Sequence, residues 1–172
     1  APLVKEYGEY LRLSRDLKDM DKVLNDKSHD SEFLVLAEEE KHRLEKALEE
    51  GAEMVTMVHN ETSSGIKNPA EAVGKMARKH DALFVMDGIT SIGGDVVDVD
   101  GWGVDVAIVG SQKCLAAPPG LSAISVSRRA WDRLSEKRPY YLDLAAYRKS
   151  AGNSPMETPY TPAVPLFLAL LE

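Results

Sequence analysis

Beyond residue 54 the chain contains short apolar runs that do not alternate. Met54-Val-Thr-Met-Val58, Leu83-Phe-Val-Met86, Val104 to Val109 and Leu121 to Val126 each have the length of a strand. A strand with one wetted face alternates apolar and polar residues, whereas one buried on both faces is apolar throughout. Loops and helix-periodic stretches separate the runs. The expectation is an α/β domain: a mostly parallel sheet with helices on both faces. In such sheets ligands bind beyond the carboxyl ends of the strands. Three runs deliver polar residues to that edge: His59–Ser64, Asp87 and Ser111–Lys113.

The rest of the composition bounds the function. The chain has 172 residues, which fits one domain over 1–172. It is 44% apolar and 28% charged, and no run of about 18 apolar residues is present to span a membrane. Its net charge of −7 lacks the basic footprint of a nucleic-acid binder. Cys114 has no second cysteine to pair with, which suggests a reducing compartment. No basic segment followed by an apolar one opens the chain, so a cytoplasmic location is expected. Charge is concentrated early: 23 of the first 50 residues are Asp, Glu, Lys or Arg, against 26 of the other 122. The first third therefore reads as solvated helix and loop.

Tyr10, Leu13, Leu17, Met20 and Leu24 form one stripe of an amphipathic helix. Asn25 to Ser31 reads as loop, and 37–50 as a second helix with Leu44, Ala47 and Leu48 on one face and Gly51 as its C-terminal cap. After a loop over 59–67, Asn68-Pro69-Ala70-Glu71 has the pattern of an N-cap, a first-turn proline and a capping-box glutamate. Val73, Met76, Ala77 and His80 would face inward. Ser127 is placed to cap a helix running to Leu134.

Several residues at the sheet edge have types that do chemistry. Lys113 follows an apolar strand, and desolvation there would lower its pKa and leave a neutral amine able to attack a carbonyl. Position alone does not separate this from an ordinary surface charge. Asp87 could cap a helix, bind a metal or pair with a cationic ligand. The four histidines, His29, His42, His59 and His80, lack metal-ligand spacing. His59 reads as a hydrogen-bonded strand-end residue and Cys114 as a packed small one. No glycine-rich nucleotide fingerprint is present.

Taken together, His59-Asn-Glu-Thr-Ser-Ser-Gly65, Met86-Asp-Gly-Ile-Thr-Ser-Ile-Gly-Gly94 and Gly110-Ser-Gln-Lys-Cys-Leu-Ala-Ala-Pro-Pro-Gly120 resemble the class V aminotransferases. These are fold type I enzymes that use pyridoxal 5'-phosphate (PLP). The resemblance is to the branch of alanine–glyoxylate, serine–pyruvate and archaeal aspartate aminotransferases. Residues 37–172 follow the pattern, which Tyr140-Tyr-Leu-Asp-Leu144 and Thr158-Pro-Tyr-Thr161 extend, and 1–36 match poorly. A strand near Tyr10–Leu13 is implied where periodicity gives a helix.

The resemblance implies roles for seven residues. Lys113 would be the Schiff-base lysine. Asp87 would partner the pyridine nitrogen and keep the ring protonated, as an adjacent carboxylate does by Coulomb attraction. Thr62 would bond the ring oxygen, Ile89 pack on the ring face and Gln112 contact the phosphate. Thr161 or Thr158 would reach the phosphate across a homodimer. The implied activity is transfer of an amino group from a small amino acid (alanine, serine or aspartate type) to a 2-oxo acid such as glyoxylate, pyruvate or 2-oxoglutarate. The chain would be a central piece of the large domain, without the upstream phosphate loop or the downstream substrate arginine. Cysteine desulfuration and a non-catalytic α/β interaction module are the alternatives. Desulfurating relatives usually carry His where Gln112 stands.

Overall fold

The computed structural model describes residues 31–171. The stripe from Tyr10 to Leu24 and the loop over 25–30 lie outside the described residues. Helix α1, Ser31–Glu49, starts six residues before the expected position. Its first turns continue the Leu-, Ala- and Glu-rich composition that favours helix, so there is no local signal to start it at 37. It ends as expected. Gly51 has φ +98°, and Gly51 N donates to Leu48 O (3.1 Å) while Ala52 N donates to Ala47 O (3.0 Å). Those are the two bonds of a Schellman cap.

Four strands follow: β1, Met54–Val58; β2, Leu83–Asp87; β3, Val106–Gly110; and β4, Ser122–Val126. They lie in the order β1-β2-β3-β4. The β1–β2 and β2–β3 pairs are parallel and β3–β4 is antiparallel. The mostly parallel sheet expected from the apolar runs is therefore present. β3 begins two residues late because an Asp105 carboxylate oxygen accepts from Phe84 N (3.0 Å), where regular pairing would use a strand carbonyl.

Helix α2, Ala70–Lys79, connects β1 to β2 and packs on both. Its entrance differs from the capping box expected. Pro69 occupies the cap position, and no side chain caps the helix. Asn68 is buried, and its Nδ2 donates to Val58 O (2.6 Å). Glu71 instead pairs with Lys75 one turn on. A buried carbonyl at a strand end needs a donor, and that demand outcompetes local capping.

Val55 and Met57 of β1, Phe84 and Met86 of β2 and Ala107 of β3 share one sheet face by their register. They form one core with Leu44, Leu48, Val73 and Ala77 of the two helices. Burying such a side chain contributes about 1.5–3 kcal/mol, so this layer is the main cohesive element. On the opposite face Thr56 is exposed and Ile124 is 41% exposed. The second helical layer of the expectation does not seal that face among the described residues. Three short helices complete the chain: α3, Arg128–Asp132; α4, Leu144–Ala151; and α5, Val164–Leu171. Ser127 caps α3 as expected, accepting from Ala130 N, but the helix stops two residues before Leu134.

Candidate active site

Because β1, β2 and β3 run the same way, their carboxyl ends meet at one edge. Val58, Asp87 and Ile108 stand on one rung of the sheet. Asp87 therefore lies on the face opposite Met57, Met86 and Ala107. β3 continues to Gly110, and Lys113 follows three residues later.

The polar residues at this edge fall into two groups. One group ties the loops to each other. His59 Nδ1 lies 2.9 Å from Ser91 Oγ. Asn60 Nδ2 donates to Thr90 O and Thr90 Oγ1 (3.3 Å each), and Thr90 Oγ1 donates back to Asn60 O. Ser111, 2% exposed, donates its hydroxyl to Pro118 O (2.6 Å) and accepts from Leu121 N (3.3 Å). Those two bonds, with Ala117 N to Ser111 O (2.9 Å), close the loop that carries Lys113.

The second group is left open. Among the described residues the side chains of Thr62, Gln112 and Lys113 have no hydrogen-bond or ionic partner. Asp87 caps no described helix; its Oδ1 instead accepts from Ile89 N (2.9 Å) in the turn that follows, which occupies one oxygen. Polar groups on folded proteins are normally paired or solvated. Several unpaired groups at one strand edge make a surface suited to a polar ligand.

Glycines bring the second and third motifs together. A Cβ on Gly94 would sit 2.7 Å from Cys114 Sγ, and one on Gly93 2.9 Å from Leu115 Cδ2. The Asp87 loop can therefore lie against the Lys113 loop only because these positions lack side chains. The Gln112 side chain folds back over Gly110, where a Cβ would meet Oε1 at 2.9 Å.

Lys113 itself is exposed. The burial expected around its amine is therefore not supplied by the described residues. Thr62 is exposed in the turn after Glu61, and Ile89 is half-buried beside Asp87. Thr158 and Thr161 belong to a different cluster. Thr158 Oγ1 donates to Tyr160 O (2.9 Å), and both threonines line a cleft with Tyr140, Tyr141 and Tyr160. None of Thr62, Asp87, Gln112 or Lys113 lines it.

His59 and Ser91 are partners that sequence reasoning did not join. His59 is 1% exposed and meets Trp102 edge-on, with ring centroids 5.3 Å apart. Burial holds its pKa below the ordinary histidine value, and the nearby Lys67 ammonium adds to this, while Asp95 opposes it. Lys67 pairs with Asp95 at 2.7 Å, which in turn lowers the Asp95 pKa, chiefly through that bond. Ser91, directly after Gly88-Ile-Thr90, was visible in the sequence, but its partner 32 positions away was not.

PLP presents a pyridine nitrogen, an aldehyde and a phosphate. The open carboxylate oxygen of Asp87, the unpaired Lys113 amine and the unpaired Gln112 amide match those three in kind, so the residues present fit the group.

Comparison with known proteins bears on the same residues. An uncharacterized aminotransferase of Methanocaldococcus jannaschii is 50% identical over 119 residues, which is 67% of this chain and 31% of that protein. The (S)-ureidoglycine–glyoxylate transaminase of Bacillus subtilis is 39% identical over 110 residues, 62% of this chain and 26% of that protein. The crystal structure of an alanine–glyoxylate aminotransferase from Nostoc sp. superposes with a TM-score of 0.67 at 35% identity, covering 75% of this chain and 35% of that one. The chain thus spans about a third of the length of the proteins it matches. Residues 35–142, which contain all three strand-end motifs, match the family described as Aminotransferase class-V, and the chain belongs to that family of PLP-dependent enzymes.

Proposed function

We propose that the protein containing this chain is a PLP-dependent aminotransferase, and that residues 1–172 are a segment of its PLP-binding large domain. It moves an amino group from a small amino acid of the alanine, serine or aspartate type to a 2-oxo acid. Glyoxylate is the first acceptor to test, because two of the matched proteins carry it in their names; pyruvate and 2-oxoglutarate follow. The observation that carries the reading is the set of unpaired side chains at one strand edge, Asp87 with an open oxygen, Gln112 and Lys113.

Bound there, PLP supplies an electron sink for the pair left when the substrate Cα–H bond breaks. Asp87 holds the proton on the pyridine nitrogen, because a carboxylate beside it favours the charged ring. The Lys113 amine holds the cofactor at C4′. As a free amine it would take the Cα proton as general base and return one as general acid. Its exposed position leaves it room to swing between the two tasks. Thr62 bonds the ring oxygen, Ile89 packs on the ring face and Gln112 bonds the phosphate. Thr161, or Thr158, reaches the phosphate of a second copy in a homodimer, in keeping with their separation from the other site residues. The cytoplasm is the proposed location.

The test is reduction of the full-length protein with borohydride after incubation with PLP, followed by peptide mapping and an assay of amino donors with glyoxylate. A pyridoxyl label on Lys113 and transamination are expected. A label on another lysine overturns the residue assignment. Absence of PLP binding favours the non-catalytic module, and release of sulfur from cysteine favours desulfuration.

A further inference from the structure

The roles above give His59 no task, yet it is the most enclosed titratable side chain at the strand edge. Its backbone and its ring hold the same neighbour at two points. His59 N donates to the Asp87 carbonyl at 2.9 Å. The ring Nδ1 lies 2.9 Å from Ser91 Oγ, and Ser91 Oγ donates to the Gly88 carbonyl at 3.4 Å. With the Ser91 hydroxyl proton assigned to the Gly88 carbonyl, His59 is assigned the Nδ1–H tautomer and donates to Ser91 Oγ. The chain of donors runs from His59 to Ser91 to the carbonyl directly after Asp87.

The consequence is geometric. The carbonyls of Asp87 and Gly88 belong to the two peptide units on either side of the Gly88 Cα, and both are held by residue 59, one directly and one through Ser91. Any residue at 59 supplies the first bond, but the second needs a side-chain donor at the Nδ1 position. Ser91 N and Ile92 N also bond to Gly88 O (3.1 and 2.9 Å), so the turn after Asp87 closes on that carbonyl. Trp102 packs edge-on against the ring and limits its rotation.

We infer that His59 is a positioning residue that aims the Asp87 carboxylate and Ile89 at the cofactor ring, acting through Ser91 and the Gly88 carbonyl. This rests on the reading of Asp87 as the partner of PLP. A carboxylate aimed by a rigid turn keeps its interaction with the ring without reordering on binding, which is how preorganisation raises affinity.

The experiment uses the full-length protein and three single variants: His59→Phe, His59→Asn and Ser91→Ala. Phe keeps a ring against Trp102 but cannot donate. Asn places an amide nitrogen near the Nδ1 position but loses the ring. Thermal midpoints, PLP affinity by absorbance titration, and the pH midpoint of the bound-cofactor band are measured for each. His59→Phe and Ser91→Ala are each expected to weaken PLP binding about tenfold, equivalent to about 1.4 kcal/mol, and to shift the band midpoint. Their double variant should lose no more than either alone, because both remove one link. His59→Asn is expected to lower the thermal midpoint yet keep affinity within about threefold. Amide exchange in the cofactor-free protein should quicken at 88–92 in His59→Phe and Ser91→Ala. Wild-type affinity and band midpoint in Ser91→Ala and His59→Phe, with the wild-type protein binding PLP, would overturn the inference alone. So would affinity losses that simply track the thermal midpoints across all three variants. A wild-type protein that does not bind PLP would instead overturn the function reading.

Discussion

Asp105 is the residue whose removal should damage the scaffold most for the fewest atoms. Its side chain is 1% exposed. Oδ2 accepts from Phe84 N (3.0 Å) at the start of β2. Oδ1 accepts from Ser127 Oγ (2.8 Å), the N-cap of α3, and lies 3.6 Å from Arg129 Nε. Its backbone adds Asp105 N to Phe84 O (2.8 Å) and Ser127 N to Asp105 O (2.7 Å). One carboxylate thus joins the start of β2 to the junction of β4 and α3. Asp105→Ala leaves the Phe84 N–H without a partner, which costs about 1–3 kcal/mol, and strands a partly buried guanidinium. Breaking a buried ionic partnership costs about 3–5 kcal/mol in all, and the upper figure is tempered because Arg129 is 25% exposed and also donates to Ala82 O. The expected loss is therefore about 3 kcal/mol. Asp105→Asn keeps an oxygen for Phe84 N but turns an amide toward Arg129, so about half that loss is expected. The assay is urea denaturation of the full-length protein, compared at constant m-value. A loss under about 1 kcal/mol for Ala, or equal losses for Ala and Asn, would refute the account of this carboxylate as a charged staple.

Three further outcomes are expected. Gly94→Ala should weaken PLP binding, since its Cβ would lie 2.7 Å from Cys114 Sγ and 3.2 Å from its Cβ. Adding Cys114→Ala should recover part of the loss, and a recovery of zero in the double variant would argue against the loop contact. His59 gives an acid-side loss of stability. Its folded pKa is held below 6.5 by burial first and Lys67 second, so the unfolded chain takes up the proton first. Its contribution is complete above that value and falls as pH drops below it, with a slope of at most about 1.4 kcal/mol per pH unit. Denaturation midpoints from neutral to mildly acid pH should show this slope, and His59→Phe should flatten it; an unchanged slope refutes the assignment. Asp87→Asn keeps shape but removes the charge that the proposed function sets against the pyridine nitrogen. The half-transamination rate of the full-length enzyme should fall about 10²-fold, equivalent to nearly 3 kcal/mol of barrier, and an unchanged rate would remove Asp87 from that role.

Much of this molecule was legible locally. The apolar runs at 54–58 and 83–86 became adjacent parallel strands, as their unbroken apolar character suggested, although the face that carries Thr56 stays open among the described residues. Gly51 and Ser127 ended and began helices where expected, since a positive φ and a side-chain cap are demands met within a few residues. The three strand ends that carry Thr62, Asp87, Gln112 and Lys113 to one edge follow from parallel pairing, while the cofactor was implied by the resemblance of the three motifs to class V aminotransferases and not by residue type or spacing.

What the sequence left undecided depended on partners far away along the chain. Asn68 looks like a cap in its own neighbourhood, but the buried carbonyl of Val58 ten residues earlier claims its amide. Asp105 reads as part of a strand until Phe84 and Ser127, each more than 20 residues off, converge on it. His59 was legible as a hydrogen-bonded strand-end residue, but only the folded sheet supplies Ser91 as its partner. Lys113 shows the same division: its place after β3 was readable, while its exposure depends on how Ser111 closes the loop that carries it. Backbone propensity and capping act over a single turn, so sequence by itself determines them. Satisfaction of buried polar groups is settled among all neighbours at once, and those neighbours exist only after the sheet has brought distant segments together.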